Sequence, residues 1–380
     1  MRRTMGSVWR MAAVSFAIAA SAWGCGEGDV MARSDTGVTP PRDGGGTRTD
    51  GGGIDTDSGG STDGGSTERD AVAPPRTDGG PGGSIESDPN VRIAFIGDSA
   101  NGSNFERVLN LIRSEGADFT MHQGDFDYAH NPDAFFATID RILGADYPYF
   151  ASAGNHDHDE WSAYASHLHD HMMAAGVTTL DDSNMNDQMY SFEFMGVKLV
   201  FVGENGNNTA FANFIDEQLS GDDHIWKVCS WHKNQRNMQI GGKTDEMGWA
   251  VYENCRRLGA IVATAHEHSY ERTRTLVNMT DQVPDDSCND PAHLCVGPGR
   301  TFAFVSGLGG NSIRDQERCL PTAFPYGCNQ EWAFIYASNQ GAQYGALFID
   351  VNVDSNPRLA HGYFKTVGGD VVDEFDVTID

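Results

Sequence analysis

The sequence predicts an α/β fold over residues 91–380, and three observations carry the prediction. Apolar strand-like runs alternate with amphipathic helical stretches, the pattern of parallel α/β units. The C-terminal strands alternate in polarity, which suits an antiparallel close. None of the 38 aromatic residues falls in 26–90, so the core-forming sequence lies beyond residue 90, in a stretch long enough to bury a full core.

In chain order, residues 91–97 are an apolar run closed by glycine, a buried strand ending in a turn. Phe105, Val108, Leu109, Leu111 and Ile112 recur at helical spacing and stop near Gly116. Residues 119–124 give the next strand. Residues 132–143 form a helix with Phe135, Phe136, Ile139 and Ile142 on one side, and 147–153 a third strand. Later strands are expected at 189–194, 197–202, 225–230, 260–265 and 301–306, with helices at 207–219 and 245–258. Alternating strands at 346–353, 358–364 and 371–379 complete the chain. In such sheets the loops at the strand carboxyl ends carry the site.

The first 25 residues have another character. Arg2, Arg3 and Arg10 precede a largely apolar stretch from Met11 to Trp23, too short to span a bilayer and suited to a secretory signal. It ends Ala22-Trp23-Gly24-Cys25, which resembles a bacterial lipoprotein signal and implies lipidation of Cys25; simple secretion is the other reading. Either sends the protein out of the cytoplasm, to the cell envelope, the cell surface or the medium. Residues 26–90 hold 17 of the 45 glycines, with Asp, Ser and Thr between them, and read as a disordered linker. Of the net charge of −28, residues 1–25 carry +3 and the linker −8, leaving −23 for 91–380. No basic cluster marks a nucleic-acid partner. Phosphate chemistry in so acidic a domain needs a strong local positive charge, which a metal centre supplies.

Five polar clusters come directly after expected strands. They are Gly97-Asp98, Gly124-Asp125-Phe126-Asp127-Tyr128, Gly154-Asn155-His156-Asp157, Trp231-His232 and His266-Glu267-His268. Singly, each has an ordinary explanation: Asp98 as a helix cap, Tyr128 as a rim aromatic, His232 as a core histidine. Together they offer carboxylates, an amide, imidazoles and a phenol, a donor set for divalent or trivalent first-row metals rather than a soft thiolate site. Two metals about 3.5–4 Å apart can clamp the attacking and leaving oxygens of phosphoryl transfer.

In this order the clusters resemble the calcineurin-like metallophosphoesterases. The GDxxY block and the Tyr270-Glu271-Arg272 after the paired histidines are most similar to the purple acid phosphatases. The resemblance implies a four-layer α/β/β/α sandwich of mixed sheets. It implies that Asp98, Tyr128 and His268 bind one metal, that Asp125 bridges, and that Asn155, His232 and His266 bind the other. A phenolate favours Fe(III) at the Tyr128 site, with Fe(II), Zn(II) or Mn(II) at the second. His156 is left as a catalytic residue that contacts the substrate phosphate, with Asn155, and assists the leaving group. The reaction implied is hydrolysis of a phosphate monoester, with diesters within reach of the same centre, by in-line attack of a metal-bound hydroxide. The substrate is a small phosphorylated molecule, and a membrane is met only through the anchor at Cys25. The sequence departs from the family at Ser99-Ala100 and at Ala265. The family's further substrate-contacting histidines are not evident, so Lys233 and Arg236 are candidates in their place.

Two rival readings remain open on sequence. One takes Ser99 as a nucleophile in an alkaline-phosphatase-like block; the other is a non-catalytic, metal-dependent binding protein at the cell surface. A further cluster, His167, His169 and His171, reads as a solvated helix face. Gly241-Gly242-Lys243-Thr244 ends like a P-loop but lacks its first glycine, where Asn237 stands. Cys288–Cys295 and Cys319–Cys328 are expected as local disulfides, while Cys229 and Cys255 either pair or stay buried and free.

Overall fold

In the computed structural model, residues 90–206 and 208–380 are described. The expectations for the leader, for Cys25 and for the linker fall outside them. Two mixed sheets form the centre. The first runs, from edge to edge, His293–Val296, Val371–Ile379, Leu359–Thr366, Gly345–Val351, Val91–Ile96, Phe119–His122 and Tyr149–Ala151. Its last three strands are parallel, and the alternating C-terminal strands add to Val91–Ile96 antiparallel. The second sheet runs Trp332–Tyr336, Tyr270–Thr273, Ala303–Ser306, Ile261–Thr264, Trp226–Ser230, Val197–Phe201, Met189–Phe194 and Asp181–Asn184. The Val197–Phe201, Trp226–Ser230 and Ile261–Thr264 strands are parallel neighbours, as are Ile261–Thr264 and Ala303–Ser306.

The two-residue period of the strands separates the layers. In the second sheet Val197, Leu199, Phe201, Trp226, Val228, Ile261 and Ala263 face the first sheet and join the large shared core. Their neighbours Val200, Cys229 and Val262 point the other way, into a separate core. Phe95 of one sheet meets Phe304 of the other edge-on, with ring centroids 5.0 Å apart. Helices α1 (Ser103–Glu115), α2 (Pro132–Leu143) and α3 (Trp161–Ala174) accompany the first sheet; α4 (Asn208–Leu219) and α5 (Trp249–Leu258) cover the second. This is the expected α/β/β/α sandwich. Helix α1 ends where Gly116 takes a left-handed φ of 66° and its N–H returns to Arg113 and Ile112, as the Gly116 stop signal implied. Helix α2 opens with the Asn131 side chain accepting from the Ala134 N–H and Pro132 in the first turn.

Three details differ from the sequence reading. Helix α5 begins at Trp249 rather than 245, so Asp245 and Glu246 lie in the loop before it. Tyr270–Thr273, a polar run, and Trp332–Tyr336, an apolar one, are strands the sequence reading did not place. The face of α3 is not uniformly solvated: His167 pairs with Asp133 at 2.8 Å, but His171 is buried and its Nδ1 lies 3.1 Å from the Tyr147 carbonyl. All three disulfides form, Cys288–Cys295 and Cys319–Cys328 locally and Cys229–Cys255 between a strand and α5. Among the described residues no helix is long and apolar enough to cross a membrane.

Candidate metal centre

All seven expected donors lie on loops at strand carboxyl ends. Asp98, Asp125, Tyr128 and Asn155 come from the first sheet, and His232, His266 and His268 from the second. The loops are seated on one another by backbone: the Asp98 N–H donates to the Gly124 carbonyl and the Ser99 N–H to the Asp125 carbonyl. Gly124 and Gly154 have no room for a side chain, because a Cβ on Gly154 would stand 2.2 Å from the Asp125 nitrogen. Asp98, Asp125, Tyr128 and His266 all take left-handed φ values between 54° and 71°. Each costs of order 1–3 kcal/mol in a residue with a side chain, and such outliers cluster where function imposes them.

The donors form two groups joined at Asp125. In the first, Asp98 Oδ1 lies 3.2 Å from His268 Nε2, and the Tyr128 hydroxyl lies 3.2 Å from Asp98 Oδ1 and 3.3 Å from His268 Nε2. The same hydroxyl is 3.1 Å from Asp125 Oδ2. The other oxygen, Asp125 Oδ1, is 3.2 Å from His232 Nε2, which is 3.0 Å from His266 Nδ1. One atom from each of Asp125, His232 and His266 falls within 4.8 Å of the others. Donors about 2.1 Å from a shared ion stand roughly 3–3.4 Å apart, so both groups have the spacing of a coordination shell.

Two of the imidazoles are oriented from behind. His232 Nδ1 lies 2.7 Å from the Gln123 carbonyl and His268 Nδ1 2.5 Å from Ser312 Oγ. In both the opposite nitrogen is the one in the donor group, the arrangement that fixes a metal-ready tautomer. His266 Nε2 comes within 3.1 Å of Glu246 Oε2, which has no hydrogen-bond partner among the described residues.

The electrostatics also fit cations. Asp98, Asp125 and Asp157 are buried together. Burial opposes the ionisation of Asp98, but the neighbouring His268 outweighs it and holds the carboxyl at about 2. Asp157 is pushed up to about 8 by burial and by the Asp125 charge, although it accepts from the Asp125, Phe126 and Gly154 N–H groups at 2.8 Å each. Burial drives the Tyr128 phenol far up, and Asp98 and Asp125 add to it, so the hydroxyl keeps its proton until a cation intervenes. His266 is held at about 2 by burial and by His232, and so stays in the neutral form that ligates. The Asn155 side-chain carbonyl oxygen is buried with no hydrogen-bond partner. An orphaned buried acceptor fits a group that takes a metal ion.

His156 stands outside both groups. Its ring packs on Tyr128 with centroids 4.4 Å apart, and its N–H donates to Asp125 Oδ1 at 2.9 Å. The Lys233 ammonium is paired with Glu204 at 2.8 Å and faces Glu246 at 3.9 Å. Arg236 is exposed on a short 3-10 turn, its N–H on Asp245. Ser99 is fully buried; its hydroxyl donates to the Phe126 carbonyl and lies 3.0 Å from His122 Nε2, so it is not presented as a nucleophile. Four supporting features went unread in the sequence. Ser312 orients His268, Glu246 lies 3.1 Å behind His266, the Lys243 ammonium donates to the His266 carbonyl, and Gly309 and Asn311 bond to the backbone of Gly97 and Asp98.

Residues 91–270 match the family described as calcineurin-like phosphoesterase. No curated protein matches in sequence. Among solved structures, the purple acid phosphatase PPD1 from yellow lupin (Lupinus luteus) seeds is similar with a TM-score of 0.57 and 16% identity. The match covers 77% of this chain and 54% of the lupin chain, so this chain spans about half the length of that enzyme. GAP50, the anchor in the inner membrane complex of Plasmodium, matches at 12% identity over 77% of this chain and 89% of its own, with a TM-score of 0.49. PhoD matches at 10% identity over 79% and 71%, also at 0.49.

Proposed function

Residues 91–270 belong to the calcineurin-like phosphoesterases, metal-dependent hydrolases of phosphoric esters, and on that premise we propose a dinuclear enzyme acting on phosphate monoesters. One observation carries the reading: six donors from two sheets fall into two groups that share Asp125, one carboxylate oxygen in each. Asp98, Tyr128 and His268 would hold the first ion, and Asn155, His232 and His266 the second. Two such ions supply the positive charge and Lewis acidity that phosphoryl transfer needs in a domain of net charge −23. The chain's own residues do the rest. His156, fixed on the Tyr128 ring and free of the donor groups, passes a proton to the leaving oxygen. Asn155 and His156 contact the phosphate from one side, and Lys233, next to His232 at the rim, from the other; Arg236 reaches from its exposed turn. The phenol among the first donors makes Fe(III) the fitting ion there, with Fe(II), Zn(II) or Mn(II) at the second.

The substrate is a small phosphorylated molecule, not a nucleic acid, and the chain is exported, held at the envelope by lipid on Cys25 or released. The three disulfides suit an oxidising compartment. Metal analysis with a visible spectrum tests the assignment. Two metal ions per chain and a tyrosinate-to-iron charge-transfer band are expected, with the band lost in Tyr128→Phe. A colourless protein holding zinc alone would sink the iron assignment, and a protein that hydrolyses no aryl phosphate would sink the activity.

A further inference from the structure

We propose that Lys243 binds a phosphate oxygen of the substrate, an inference that rests on the two-metal reading above. The Gly241-Gly242-Lys243-Thr244 run is no P-loop, yet it brings its lysine to the candidate centre. The Lys243 ammonium donates to the carbonyl of His266, a proposed ligand of the second ion. That acceptor is neutral, so the contact aims the ammonium without cancelling its charge, and an ammonium has three donors to give. Among the described residues it forms no ion pair with a carboxylate, whereas Lys233 is tied to Glu204 at 2.8 Å. Burial lowers the pKa of Lys243, and Asp98, Glu267 and Asp125 pull the other way, so carboxylates of both donor groups lie within its field. Arg314, whose N–H donates to the His268 carbonyl at 2.9 Å, adds a second positive charge nearby. A phosphate held at the donor groups therefore meets Lys243 as a point charge that nothing else has claimed.

The loop that carries Lys243 is braced from several sides. The Gln239 side chain accepts from the Gly241 N–H at 2.7 Å and donates to the Lys243 carbonyl at 3.0 Å. The Ile240 carbonyl accepts from the Glu317 and Arg318 N–H groups at 3.0 and 2.9 Å, and the Arg318 guanidinium donates to the Gln239 carbonyl at 2.6 Å. Gly241 packs on the residue between the paired histidines, for a Cβ there would stand 2.1 Å from Glu267 Oε2. A lysine on an open loop loses backbone and rotamer freedom when it grips an anion. Here the backbone is already set and the side chain half-buried, so much of that ordering is complete before substrate arrives.

The test is calorimetric titration of the Zn(II)-loaded full chain with inorganic phosphate, on wild type, Lys243→Met and Lys243→Arg, with bound zinc counted in each. All three hold two ions. Lys243→Met binds phosphate about 10–100-fold more weakly, the cost of losing a hydrogen bond to a charged group. Lys243→Arg keeps the charge with a different reach and falls between the two. Phosphate bound by Lys243→Met at wild-type affinity, with two ions present, overturns this inference and leaves the two-metal reading standing. Loss of zinc from Lys243→Met would make the lysine a support for the His266–Glu267 loop and overturns it as well. A wild type that takes up fewer than two ions overturns both.

Discussion

His156 shows how position decides role. It lies between Asn155, a proposed donor, and Asp157, which braces their loop, yet its ring packs against Tyr128. His156→Ala is therefore expected to lower kcat by about 10²–10⁴-fold, the range for a general acid, with two metal ions still bound. Loss of a metal ion with the activity would instead make it a ligand. The donors themselves were legible in the sequence because each stands where an apolar strand stops, and loops at strand ends need no apolar partner to hold them. Their surroundings were not. Lys233 finds Glu204 and Glu246, and His268 finds Ser312, through loops far apart in the chain, and no spacing rule relates those residues. Ser99 looked available as a nucleophile in the linear sequence. The structure buries it, because its loop packs beneath the Phe126 turn.

Among the elements, hydrophobic pattern located most of those that bury apolar residues, missed the apolar Trp332–Tyr336, and could not reveal one that buries polar residues. Tyr270–Thr273 reads as too polar for an interior strand, yet every residue in it is buried. Arg272 explains how. Its guanidinium grips Asp373 of the other sheet with two nitrogens, Nε to Oδ2 at 2.8 Å and Nη2 to Oδ1 at 2.9 Å, and lies 4.0 Å from the centroid of the Phe375 ring. The Tyr270 hydroxyl donates to the same carboxylate at 2.7 Å. The Tyr-Glu-Arg run after the paired histidines is thus a bolt between sheets as well as a family mark. Removing one partner of such a pair strands a buried charge, which costs about 3–5 kcal/mol. Asp373→Ala is expected to lower the unfolding free energy by that amount in urea while the metal content of the folded protein is unchanged. A loss below about 1 kcal/mol, the worth of an exposed pair, would show that water reaches Arg272 and that the pair is not a bolt. The early start expected for α5 failed for a related reason. Asp245 and Glu246 are good helix formers or caps in isolation, but in the loop before it the Asp245 side chain accepts from the Arg236 N–H and the Glu246 side chain lies beside His266.

For the whole domain, the two sheets share a core along most of their length, but at the site they meet through polar loops. Four donors come from the first sheet and three from the second, and the contacts from Tyr128 to His268 and from Asp125 to His232 cross between them. The acidic balance of −23 makes that junction the place where the domain most needs positive charge, because buried carboxylates there are offset by few cations. Metal binding should therefore act as a clasp on the fold as well as an aid to chemistry. An ion held at 1,000 times its dissociation constant stabilises the folded form by about 4 kcal/mol. In a domain of this size each kcal/mol moves the melting temperature by about 2–4 °C. Stripping both ions with a chelator is expected to lower the melting temperature by about 15–30 °C, and adding them back to restore it. The Asp125→Asn variant, whose shared carboxylate is gone, should melt near the stripped wild type with or without metal. Equal melting temperatures for loaded and stripped wild type would mean that the loops are organised by their own hydrogen bonds and that the ions add nothing to the joining of the sheets.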